Sequence, residues 1–228
     1  MDEQSSILTY IDQLAITHPL RAPVIHAAIE SLQLPAGSAG LDAGCGIGLH
    51  TAMLAEAVGP AGHITNLDLC PEFLECARTV ARVAGVADRV SFRIGDVSDL
   101  PSEDGAFDWV WSVDCVGYAT PAPLDVLGEL RRVLRTGGRV MFMIWSSERL
   151  LPGYPLLEAR LNATSAGIAP FVAGRSPDRH WLRAPGWLRQ AGFSDVSVRT
   201  FAGDVYAPMR RGWRDAVAGA PDELTTVG

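Results

Sequence analysis

Leu41-Asp42-Ala43-Gly44-Cys45-Gly46-Ile47-Gly48 constrains what this 228-residue chain can fold into more than any other stretch. It reads as the end of a buried strand that turns through three alternate glycines into a helix. Glycine there permits a positive φ and lets a ligand approach the backbone, and the amides that open the next helix favour a negative ligand group. Asp68 follows at the end of a second apolar run, where an acid can accept hydrogen bonds from a ribose. Together these features predict a site for a cofactor that contains adenosine.

The rest of the chain supplies the frame for such a turn. Apolar runs predict strands near 39–44, 63–68, 90–95, 107–113 and 138–145, and helices near 48–58, 71–84 and 122–135. Pro71 opens the second of these helices, Phe73, Ala77, Val80, Ala81 and Ala84 line one face, and Gly85 ends it. This alternation predicts an α/β fold, a doubly wound, mostly parallel sheet with helices on both faces. Asp42, Asp68, Asp96 and Asp114 all fall at the carboxyl ends of predicted strands, where such sheets bind ligands. Residues 1–36 read as a helical cap, with Val24, Ile25, Ala28, Ile29 and Leu32 at helical spacing. The alternation stops after the fifth strand. It resumes with a helix near 184–191 and a strand at 195–201, and Ala202 to Pro208 could supply a short antiparallel strand.

A dinucleotide fingerprint would place its third glycine at position 49, which is Leu49. The spacing G-x-G-x-G after Asp42 resembles instead the first motif of the class I S-adenosylmethionine-dependent methyltransferases. Asn66-Leu67-Asp68-Leu69 resembles the ribose-binding motif of that family. Gly95-Asp96-Val97 resembles its adenine motif, and Leu130 to Gly138 its stretch before the fifth strand, with Thr136 where proline is usual. The resemblance covers roughly residues 36–202 and implies a Rossmann-like methyltransferase fold with S-adenosyl-L-methionine as cofactor. It implies that Asp42, Gly44, Cys45, Gly46 and Gly48 surround the methionine end, that Asp68 with Leu69 meets the ribose, and that Asp96 with Val97 meets the adenine. Asp114 is expected to face the methionine end or to cap the following loop.

Composition narrows the partners. The formal net charge is −7 and all 19 basic residues are arginine, which disfavours nucleic acid as the main partner. Arg131, Arg132, Arg135 and Arg139 alternate with apolar residues and read as a solvated helix face. No run has the ~20 apolar residues of a bilayer span, so no membrane role and a soluble, cytoplasmic protein are expected. The four cysteines lack metal or disulfide spacing, and no metal site is predicted.

The implied chemistry is methyl transfer to a small molecule, with oxygen as the expected acceptor atom and carbon or nitrogen as alternatives. Tyr118 and His180 are the candidates to touch the acceptor, and His50 could reach the cofactor. Asp108 reads as a strand-end hydrogen-bond acceptor. The expected division is a cap at 1–36, a cofactor core at 37–146 and a substrate-covering insertion at 147–183. The end of the sheet follows at 184–208, then a tail at 209–228 that lacks a capping element, as in a shortened protein. Two rivals remain: a non-catalytic cofactor-binding regulatory or partner subunit, and a nicotinamide-dependent reductase. The second is disfavoured by the missing glycine and by the absence of lysine. The sequence leaves the oligomeric state open.

Overall fold

The computed structural model describes residues 3–116, 122–145, 156, 181–203 and 211. Helix α1 (Glu3–Leu32) precedes strand β1 (Ala39–Ala43), helix α2 (Thr51–Val58), strand β2 (His63–Asp68) and helix α3 (Pro71–Val83). Strands β3 (Val90–Ile94) and β4 (Phe107–Val113), helix α4 (Pro123–Val133), strand β5 (Leu134–Met143) and helix α5 (Ala184–Gln190) follow. The five strands form one sheet in the order β3-β2-β1-β4-β5, and every neighbouring pair is parallel.

Alternate residues of each strand point to opposite faces, and both faces are buried. Leu41, Ala43, Leu67 and Val110 meet α4 and Trp187 of α5 on one side. On the other, Ile64, Trp109 and Trp111 meet Ile25 and Ile29 of α1, Leu54 and Val58 of α2, and Ala81 of α3. Gly40 is the register partner of Trp109, and a Cβ at Gly40 would overlap the indole ring. The missing side chain lets that indole lie flat across β1 and donate to Ser38 Oγ at 2.9 Å.

Several boundaries differ from the sequence reading. Residues 135–138 loop out between the register pairs Phe107–Leu134 and Trp109–Arg139, so β5 begins four residues early and then bulges. The buried face of α3 is Leu74, Ala77 and Ala81, while Ala84 is exposed. The expected strand at 195–201 is not formed. An alternating run becomes a strand only against a free edge. Here Phe201 packs on the α1–α2 cluster, Gly203 lies against Val24 of α1, and Val198 is exposed. Only Ala202 and Gly203 of the proposed final strand are described.

Arg131, Arg135 and Arg139 are exposed, as a solvated face requires, while Arg132 is half-buried, and all four spend donors on fixed acceptors. Arg132 grips Glu129 through two hydrogen bonds, at 2.9 and 2.8 Å, and donates to the carbonyls of Leu100 and Ser102 and to Asp104. Arg131 donates to the Ala191 carbonyl and Arg139 to the Leu32 carbonyl. Arg135 pairs with Asp108 at 2.6 Å, while the other oxygen of Asp108 accepts the Ala39 amide at 2.8 Å. A guanidinium offers five donors in a planar fork, and the carbonyls that ended nearby loops left acceptors for them.

Gly40→Ala should lower the free energy of unfolding by about 1–3 kcal/mol, the usual cost of overpacking. Urea denaturation followed by tryptophan fluorescence measures it, and an unchanged midpoint would contradict the close approach of Trp109.

Candidate functional site

The turn after β1 is tied to the end of β2 by consecutive backbone amides. Gly44 and Cys45 both donate to the Leu67 carbonyl, at 2.9 and 3.0 Å, and Gly46 donates to Asp68 Oδ2 at 2.8 Å. The other oxygen of Asp68 accepts the Cys70 amide at 3.0 Å, which fixes the carboxylate at the strand end. Gly44, Gly46 and Gly48 have φ values of 76, 53 and 75°, a region that costs other L-residues energy. A Cβ at Gly44 would strike Cys115, and one at Gly48 would strike Ala77 of α3. At Gly46 the nearest atom would be Leu14 Cδ1 of α1, at 3.9 Å, so the space beside this residue is open.

Asp42 is 1% exposed, and its Oδ2 is buried with no hydrogen-bond partner. Burial first, and the nearby Asp68 charge second, raise its carboxyl from 3.8 to about 8. Its neighbours in register are Asn66 and Trp111, so the three side chains leave the sheet on one face. Asn66 donates to Thr51 Oγ1 at 2.7 Å, but its Oδ1 is also buried and unpartnered. A buried orphan acceptor is costly, and Asp42 and Asn66, paired in register, set two of them side by side at a strand end.

The remaining acids occupy the same edge. Asp96 lies two residues beyond β3 and accepts both the Ser98 amide and hydroxyl, at 2.8 and 2.7 Å. These hydrogen bonds lower its pKa. Leu69 presents an apolar surface beside Asp68 and is 63% exposed, while Val97 is buried. Asp114, with φ 50°, accepts the Trp145 amide at 2.8 Å and pairs with Arg21 of α1 at 3.1 Å. Its carboxylate therefore holds the loop after β5 and the first helix together, a tie that includes the capping alternative. Cys45 is buried, and burial raises its thiol well above the ordinary range, so it packs as an inert group at neutral pH.

Tyr118 and His180 lie outside the described residues, as does nearly all of the expected substrate cover at 147–183. Three residues beside the site received little or no weight from sequence alone. His18 stacks 6.4 Å from His50, and the His50 ring stands edge-on to Trp111 at 6.3 Å. Arg21 lies over the Trp145 ring at 5.0 Å. Leu14, His18 and Arg21 are four and three residues apart, the spacing of a single helix face; that spacing was the available signal. Burial, His18 and the Arg21 charge pull His50 down to about 3, and burial and Arg21 lower His18. Both rings are neutral at neutral pH.

The described residues form cavities elsewhere too. One of about 360 Å³ between α1 and α2 is lined by His26, Glu30, Met53 and Glu56, at the opposite end of the strands. No cluster suited to a metal ion occurs among the described residues, and none of their helices is long and apolar enough to cross a membrane.

A family model described as a methyltransferase domain matches residues 41–142. Demethylmenaquinone methyltransferase of Staphylococcus aureus is 31% identical over 194 residues, 78% of this chain and 77% of that protein. An uncharacterised 37.1 kDa protein of a Streptomyces fradiae transposon is 36% identical over 151 residues. That match takes in 66% of this chain but only 42% of the relative. Among solved structures, a SAM-dependent methyltransferase from Aquifex aeolicus has a TM-score of 0.61 over 84% of this chain and 89% of its own, at 19% identity, a likeness of fold.

Gly46→Val should abolish cofactor binding by calorimetry while costing about 1–2 kcal/mol of stability from its left-handed backbone. Normal binding would show that the ligand lies elsewhere. Asp42→Asn tests the buried acid through pH. Because folding raises the pKa of Asp42 to about 8, its contribution to stability is present below about 3.8 and lost as pH rises through 8. The variant should therefore gain about 1–3 kcal/mol over the native protein at pH 8–9 and lack this part of the decline, as read by urea unfolding across the range.

Proposed function

Since this chain belongs to the class I S-adenosylmethionine-dependent methyltransferases, we propose that it moves the cofactor's methyl group to a hydroxyl oxygen of a small molecule. The observation that carries the site assignment is the orphaned Asp42 Oδ2 beside the open Gly46 and the fixed Asp68. An ammonium group is the kind of donor that a buried, unpartnered carboxyl oxygen accepts. Asp42, Gly44, Cys45, Gly46 and Gly48 would hold the methionine end, Asp68 the ribose hydroxyls, and Leu69, Asp96 and Val97 the adenine. Asp114 would act from the side of the methionine end, through Arg21 and the Trp145 amide.

When bound, the cofactor supplies a methyl group on a positively charged sulfur, open to in-line displacement. The protein's part is alignment and the exclusion of water, which can provide much of the acceleration. Helix α1 contributes to both, because Leu14 stands over the glycine turn. A general base is needed only where the acceptor is protonated at working pH. The segment 147–183 is proposed as a further cover, with Tyr118 and His180 as its candidates to meet the acceptor. The small-molecule reading is supported by relatives such as the demethylmenaquinone methyltransferase. Carbon and nitrogen are the alternative acceptor atoms.

S-adenosylmethionine and its demethylated product should bind by calorimetry, and NAD should not. Asp68→Ala should weaken binding by about 1–3 kcal/mol, the cost of leaving buried hydroxyl donors without an acceptor. Equal affinity for NAD would overturn the cofactor assignment. Incubation with methyl-labelled cofactor and a panel of phenols, carboxylates and amines would then give the acceptor, with labelled phenol ethers as the expected product. Binding of cofactor with no transfer to any class would favour the non-catalytic subunit.

A further inference from the structure

Helix α1 does more than cover the cofactor turn. Its face formed by Leu14, His18 and Arg21 crosses the carboxyl edge of the sheet, from Gly46 past His50 to Asp114. The stripe changes character along its length. The same face continues as Ile25, Ala28 and Ile29, all buried in the α1–α2 core, whereas over the strand ends it offers an imidazole and a guanidinium. Burying such groups costs free energy unless they have partners, so their placement here needs a reason beyond packing.

Two observations point to a ligand. The Trp145 indole N–H is buried with no hydrogen-bond partner, although its ring lies directly under the Arg21 guanidinium. Arg21 spends one nitrogen on Asp114 at 3.1 Å, and its other donors have no partner among the described residues. A cation and an orphan N–H at one place form a receptor for an oxyanion. His18 precedes Arg21 by one turn and faces His50, which accepts from Trp111 Nε1 through Nδ1 at 3.5 Å. That hydrogen bond sets His50 as the neutral tautomer with its proton on Nε2. His50 is thus a positioning residue, and His18 has the basic nitrogen to offer.

We propose that the methyl acceptor binds under α1 as a phenol or enol, with Arg21 and the Trp145 N–H holding its oxygen and His18 taking its proton. This rests on the methyltransferase reading. The acceptor's O–H proton passes to the free imidazole nitrogen, an oxygen lone pair forms the new bond to the methyl carbon, and the electrons of the broken carbon–sulfur bond stay on sulfur. His18 then returns the proton to water. The groups facing His18 are Arg21 on its own helix and His50 at the start of α2, with Asp114 behind Arg21. Burial first, and the positive charge of Arg21 second, favour neutral His18, and a phenolate beside the pair balances the charge that His18 takes on.

The test needs no turnover. 4-Nitrophenol reports its own ionisation by the colour of its phenolate, and binding of an oxyanion beside a cation should lower its pKa by about one to three units. The native protein should show the phenolate band below the phenol's own pKa. Calorimetry in two buffers of different ionisation enthalpy should find no net proton released, because His18 keeps it. His18→Asn should bind the phenolate and release about one proton per molecule, Arg21→Met should lose the band, and Trp145→Phe, which removes the indole N–H but keeps the Arg21–Asp114 pair, should weaken phenolate binding several-fold. A band that survives Arg21→Met, or no band in the native protein, would overturn the proposal. So would unchanged phenolate binding in Trp145→Phe, which would leave the indole N–H without a part in holding the oxygen. A His18→Asn proton balance equal to the native one would do the same. Cofactor affinity is measured separately on each protein, so a failure of the methyltransferase reading shows itself as absent S-adenosylmethionine binding with the phenolate result intact.

Discussion

Three consecutive amides, those of Gly44, Cys45 and Gly46, donate to the last two residues of β2. Everything at the functional edge depends on that attachment. A loop with three positive-φ glycines has many conformations to lose on folding, and hydrogen bonds to Leu67 and Asp68 restrict it to one. The attachment also explains why Asp68 sits where it does. Its carboxylate is a brace for the turn before it is a ligand for anything else, and a cofactor that meets Asp68 meets a group already held in place.

The cost of this edge is visible beside it. Asp42 and Asn66 each bury an oxygen without a partner, and the raised pKa of Asp42 records the penalty. Packing elsewhere offsets it. Both faces of the parallel sheet are covered, and the close fit of Trp109 over Gly40 lets two tryptophans share one face. Stability thus resides in the middle and at the amino ends of the strands, while the carboxyl ends keep polar groups unsatisfied. Such a division suits a site whose donors arrive with the ligand.

Helix α1 joins the two regions. Its second half belongs to the core through Ile25 and Ile29, and its first half lies over the site through Leu14, His18 and Arg21. The helix continues through Pro19 and Pro23, each of which removes one backbone hydrogen bond. Its hold on the edge comes from side chains instead, chiefly the Arg21–Asp114 pair. Asp114 answers to both sides, because its second oxygen fixes the Trp145 amide after β5.

The sequence by itself determined the alternation of strands and helices, the glycine turn, and the placement of four acids at strand ends. Local patterns suffice for these, because period-2 and period-3.6 burial and glycine spacing are written in neighbouring residues. It also determined that Asp108 would serve as a strand-end acceptor. Tertiary structure alone decided what depends on partners distant in the chain. The run at 195–201 alternates like a strand, yet Phe201 found the α1–α2 cluster rather than a sheet edge. Arg132 looked solvent-facing until the loop at 100–104 folded back to it, some thirty positions away. His18 and Arg21 gain meaning only when α1 crosses the sheet and sets them against His50 and Asp114. A side chain's role at a site depends on what faces it, and no local pattern records that.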